Sequence, residues 1–136
     1  MSDMIFSPKA SDLSWRAEEV IKKIDERPHL VVRVEISGTY FPHRATEPFA
    51  RIVTEKGQIV SNWYANVADD NTRLVSYFPT DLPGRGTIEF GYGGKLMGKI
   101  PLAFDFQAVK QLDRKRLPKE VVEVSSKYLI TKQYRE

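Results

Sequence analysis

Tyr40, Phe41, His43 and Arg44 fall within five consecutive positions of a 136-residue chain. Rings and a guanidinium at that spacing suit a contact surface for a partner protein, or for a small anionic or planar ligand, because Tyr and Arg are the types enriched at binding hot spots. His43 adds a group that titrates near neutral pH, so it is the candidate base if this stretch carries out chemistry. The plainer alternative has Tyr40 and Phe41 capping the end of a core while Arg44 pairs with Glu47.

A second constellation is Arg114, Lys115, Arg116 and Lys119, which place four cations within six positions. Such a cluster can contact phosphates and steer polyanions, and it makes nucleic-acid binding the alternative function. Asp113 and Glu120 flank the cluster, and a solvated helix end would explain the same residues. A third is the pair Trp63-Tyr64, whose side chains would point to opposite faces of a strand. On an open sheet, Tyr64 with Tyr77 or Tyr92 could form a stacking platform for a sugar or a nucleobase. Ordinary cross-strand pairing, worth about 0.2–1 kcal/mol, accounts for these rings equally well.

Other chemistry has less to stand on. The chain has no Cys, and its only histidines, His29 and His43, lie 14 positions apart without a short metal-ligand spacing. No metal and no cofactor is expected. Gly91-Tyr-Gly-Gly-Lys95 lacks the spacing of a phosphate-binding loop and suits a turn that needs positive φ. No Ser sits in a nucleophile elbow, so a hydrolase or isomerase centred on His43 ranks last and no catalytic residue is assigned.

The elements that would carry these residues read as follows. A helix is predicted over 11–27, from the stripe Leu13, Ala17, Val20, Ile21 and Ile24, with Ser11 or Asp12 as its cap and Pro28 as its stop. Strands are predicted over 29–106, at 30–36, 49–54, 58–67, 73–78, 87–92 and 99–106, with turn residues between them. Pro101 marks the last strand as an edge. A basic segment over 107–136 is expected to be helical at 118–129, although its β-branched Val121, Val122 and Val124 favour a strand.

These strands predict a single, mainly β domain, an antiparallel β-sandwich with an N-terminal amphipathic helix and a short helical C-terminal segment. The segment Leu82-Pro-Gly-Arg-Gly-Thr-Ile-Glu-Phe-Gly-Tyr92 resembles the late strand of immunoglobulin-like sandwiches, and Trp63 stands in an earlier strand as a core Trp does there. The resemblance is architectural and implies no functional residue.

The sequence favours a non-catalytic binding or protein-interaction module that uses the loop over 38–48. The exposed sheet edges make a homodimer conceivable. No signal peptide or apolar span is visible, so a cytoplasmic protein without membrane contact is expected. The net charge of +3 is uneven: −1 over 1–28, zero over 29–106 and +4 over 107–136. The basic character therefore belongs to the C-terminal segment and not to the strands.

Overall fold

The computed structural model describes residues 12–41, 47–82 and 84–125. They form nine strands: β1 (Ser14–Ile24), β2 (Arg27–Ser37), β3 (Pro48–Thr54), β4 (Ile59–Ser61), β5 (Tyr64–Val67), β6 (Arg73–Phe78), β7 (Arg85–Tyr92), β8 (Lys95–Asp105) and β9 (Val122–Glu123). The chain is mainly β. A five-stranded sheet has the order β1-β2-β6-β5, with β9 added beside β2, and a four-stranded sheet has the order β4-β3-β7-β8. The long pairings are all antiparallel, and β9 runs parallel to β2.

The two sheets share one core. Alternation sends Val32, Val34 and Ile36 of β2 and Leu74 and Phe78 of β6 inward. They meet Ala50, Ile52, Ile88, Phe90, Ile100 and Phe104 from the other sheet. Trp15 of β1 closes one side against Phe104, with ring centroids 4.7 Å apart. Ser76 also points inward and is fully buried, with no hydrogen-bond partner for its hydroxyl among the described residues.

No helix of the predicted kind forms among the described residues. Where a helix was expected over 11–27, residues 14–24 are β1, and every residue of it pairs with β2, from Ser14↔Ser37 to Ile24↔Arg27. The period-two signal is present in Leu13, Trp15 and Ala17. It is broken by Glu19, which also faces inward and is buried. The β1–β2 turn is Asp25-Glu26, and both residues have positive φ, 51° and 67°. Two-residue hairpins need that conformation, but Gly and Asn normally supply it. The β7–β8 turn at Gly93-Gly94 (φ 58° and 80°) uses the customary residues.

Two further expectations change. The strand predicted over 58–67 is two strands. It breaks at Asn62-Trp63 and passes from the four-stranded sheet to the five-stranded one. The Asn62 carboxamide oxygen accepts from the Ala50 amide (2.8 Å) and holds that crossing.

The helix expected over 118–129 is not present in its described part. Residues 122–123 are β9, paired with His29 and Leu30, and Val124 is buried. Residues 126–136 lie outside the described residues. The segment after β8 is instead a strap with two short 3-10 turns, Phe106–Ala108 and Arg114–Arg116. It bridges to the free edge of β1, where the Glu19 amide donates to the Lys110 carbonyl at 2.8 Å.

Candidate ligand-binding face

The outer face of the five-stranded sheet gathers the side chains that β2 and its neighbours send away from the core. In one row across four strands stand Glu18, Arg33, Tyr77 and Tyr64; in the next stand Arg16, Glu35, Val75 and Asn66. The face therefore has a charged side on β1–β2 and an aromatic side on β6–β5.

On the aromatic side, Tyr64 and Tyr77 are direct cross-strand partners and their rings stack, with centroids 5.8 Å apart and planes 29° apart. Tyr64 is 47% exposed. The Lys22 ammonium reaches over both rings, 4.7 Å from the Tyr77 centroid and 5.3 Å from that of Tyr64. A cation over exposed rings is worth about 0.5–1 kcal/mol, so this cover is easily displaced. Val31 lies below, fully buried although it points outward, because Val20, Trp63, Tyr77 and Val124 pack around it. Trp63 is fixed in turn by the His29 ring, edge-on at 5.0 Å. The His29 Nδ1–H donates to the Arg27 carbonyl oxygen at 2.9 Å.

On the charged side, three guanidiniums converge on Glu35. Arg16 Nε lies 3.0 Å from one carboxylate oxygen, while Arg73 Nη1 and Arg33 Nη2 lie 3.1 Å and 3.3 Å from the other. Partial burial pushes the Glu35 carboxyl up. The Arg73 hydrogen bond and the charges of Arg33 and Arg16 outweigh it and hold the group below the usual carboxylate range. Glu18 is a more distant partner of Arg33, at 4.0 Å. Arg16, Arg33, Arg73 and Lys22 set against Glu18, Glu35 and Asp70, whose carboxyl the charge of Arg73 helps to lower, leave one positive charge in surplus. The side chains of Arg16 and Arg73 are 73% and 44% exposed, so spare N–H donors face solvent.

The residues singled out in the sequence fare differently. Tyr40 is exposed, but Phe41 is 2% exposed and packs in the core on Phe90. Its backbone is pinned by Asn71, whose carbonyl accepts from the Phe41 amide (2.9 Å) and whose side-chain Nδ2 donates to the Phe41 carbonyl (2.7 Å). His43 and Arg44 lie outside the described residues. The loop 38–48 thus gives Phe41 to the core, as a core cap would.

In the basic cluster, both Nη atoms of Arg114 donate to the buried Glu19 carboxylate, and Arg116 lies 3.7 Å from Asp113. Lys115 and Lys119 are exposed on the strap. Tyr92 packs against the core, so Tyr77 is the partner of Tyr64. Arg16, Arg33, Arg73 and Lys22 were not legible as a group, because they converge only through strand register. The alternation at 30–36 does place Arg33 and Glu35 on the face away from the core.

Among the described residues no three His, Cys, Asp or Glu side chains are grouped to hold a metal ion, and no helix is long and apolar enough to cross a membrane. Comparison of the chain with protein-family models, with curated proteins and with solved structures gives no match.

Proposed function

We propose that the chain is a binding module whose contact surface is the outer face of the five-stranded sheet, and whose ligand offers a flat unsaturated ring together with negative charge. The carrying observation is the stacked Tyr64–Tyr77 pair, of which Tyr64 is half-exposed, beside three arginines that share one carboxylate. Such a face combines a π surface with unspent cationic donors, which are the two contacts a planar anion needs. This reading moves the binding surface away from the 38–48 loop, whose Phe41 is committed to the core.

The fold reading that fits is an immunoglobulin-like β-sandwich. The order β1-β2-β6-β5 against β4-β3-β7-β8 corresponds to strands A-B-E-D against C′-C-F-G. In that scheme the proposed site lies on the outside of one sheet and not at the loop end used by antibody domains.

The test is a titration followed by the ring resonances of Tyr64 and Tyr77. Adenosine 5′-monophosphate should shift them more strongly than either adenosine or ribose 5-phosphate, and Tyr64→Ala should abolish the response. If none of the three compounds moves those resonances, the face is not a binding site. Shifts confined to Tyr40 or to residues 114–119 would assign the function to one of those competing surfaces.

A further inference from the structure

Resting on that reading, we infer that the face binds single-stranded nucleic acid, with bases stacked on Tyr64 and Tyr77 and phosphates held by Arg73, Arg16 and Lys22. Arg73 and Tyr77 are four residues apart on the same face of β6, which is about 13 Å along a strand. Arg16 lies two strands further across, on β1. No single nucleotide can stack on the tyrosines and also reach both arginines, whereas a phosphodiester chain carries a charge at every step.

The tyrosines present one ring stack at the margin of a sheet, with Tyr64 exposed on the short edge strand β5 and Tyr77 partly buried on β6. In a duplex the base faces are already stacked on each other, so only an unpaired strand can offer one there. Stacking of this kind tolerates every base.

The surplus positive charge is shared by Lys22 and by arginines already positioned by Glu35, so the guanidiniums lose little freedom when a phosphate arrives. Lys22, now over the rings, would yield its place to a base and turn to the adjoining phosphate. An acidic peptide could use the arginines, but it would leave the tyrosine stack idle.

The experiment uses the full chain and fluorescence anisotropy of labelled oligothymidylate and oligouridylate of about 2–16 nucleotides, a range set by known single-strand site sizes. Affinity should rise with length over the first few nucleotides and exceed that for duplex. Log affinity should fall linearly with log salt, with a slope of about −1.4 to −2.1 for two or three phosphates. Tyr64→Ala should weaken binding about 5-fold to 150-fold, and Tyr64→Phe should restore it. Arg73→Gln or Arg16→Gln should each reduce the slope by about 0.7, with thermal melting checking that each variant is folded. Lys115→Gln combined with Lys119→Gln should leave binding unchanged.

Equal affinity for duplex, equal affinity for oligoglutamate, or loss of binding through Lys115 and Lys119 in place of Tyr64 would overturn the inference. If adenosine 5′-monophosphate binds at the tyrosines but oligonucleotides bind no tighter, the inference fails and the proposed function stands. If neither binds, both fail.

Discussion

Glu19 on β1 and Glu35 on β2 are carboxylates on neighbouring strands, and arginine holds each of them. The outcomes are opposite. Glu19 points inward with its side chain fully buried, and a single guanidinium, that of Arg114, faces both of its oxygens while the Leu112 amide adds a third bond at 3.0 Å. Arg114 is also 3.6 Å from Glu123. Glu35 points outward and draws three guanidiniums.

The first arrangement has no cation to spare and ties the C-terminal strap to the free edge of β1. The second keeps positive charge and exposed N–H groups available. The difference teaches that a cluster of arginines is not in itself a binding site; the count of partners decides. Arg114, in the most basic run of the sequence, is consumed by structure, while Arg16 and Arg73, isolated in the sequence, are available.

The largest expected effect comes from breaking the closed pair. Arg114→Ala leaves Glu19 buried without its cation and should cost about 2–4 kcal/mol in urea unfolding, the low end reflecting the water that reaches the half-exposed Arg114. A loss under about 0.5 kcal/mol would mean that the strap is not held by this pair.

Acid should act in the same direction. The Arg114 hydrogen bond, against the opposing effect of burial and with the Leu112 amide assisting, holds the Glu19 carboxyl below its ordinary value of 4.5. A carboxyl lowered in the folded state contributes stability that is complete above about pH 4.5 and is lost as the pH falls through the lowered value. Glu35 is lowered as well. Urea midpoints at pH 7 and pH 3 should therefore fall less for Glu19→Gln and for Glu35→Gln than for the parent chain. An unchanged acid loss in either variant would remove that carboxylate from the account.

Smaller effects test the open cluster. Glu35→Gln should cost about 1 kcal/mol, less than Arg114→Ala, because the arginines it releases can turn to water. The same variant should bind oligothymidylate more tightly, since it raises the surplus charge by one. Weaker binding would mean that Glu35 orients the arginines more than it neutralises them. Smallest of all, Arg16→Gln should change stability by less than about 0.5 kcal/mol, as expected for a largely exposed ion-pair member.

Much of the β architecture was legible in particular residues. Leu30, Val32, Val34 and Ile36 announced β2 and its inner face, and Gly93-Gly94 announced the β7–β8 turn. β1 was not legible for two local reasons. Asp25-Glu26 is an unusual pair for a turn with positive φ at both positions, and an inward Glu19 interrupts the alternation of Leu13, Trp15 and Ala17. Its partner Arg114 is 95 residues away, so the sequence alone cannot reveal why a charge is tolerated there.

The candidate face was half legible. The sequence offered Tyr64 with Tyr77 or Tyr92 as a stacking platform, beside ordinary cross-strand pairing, and the register of β5 and β6 selects Tyr77. The arginines join them only through the register of β1, β2 and β6, a long-range property that no local pattern carries. The loop 38–48 drew attention through composition, yet its Phe41 was taken up by the core.

The central claim is that the open cluster and the tyrosine stack form one ligand surface. Its most direct test is amide and side-chain chemical-shift mapping with a short oligothymidylate. The account predicts that perturbations gather on Arg16, Lys22, Tyr64, Arg73 and Tyr77 and spare Lys115 and Lys119. Perturbations that gather on 114–119, or that leave Tyr64 and Tyr77 unmoved while the oligonucleotide binds, would contradict it.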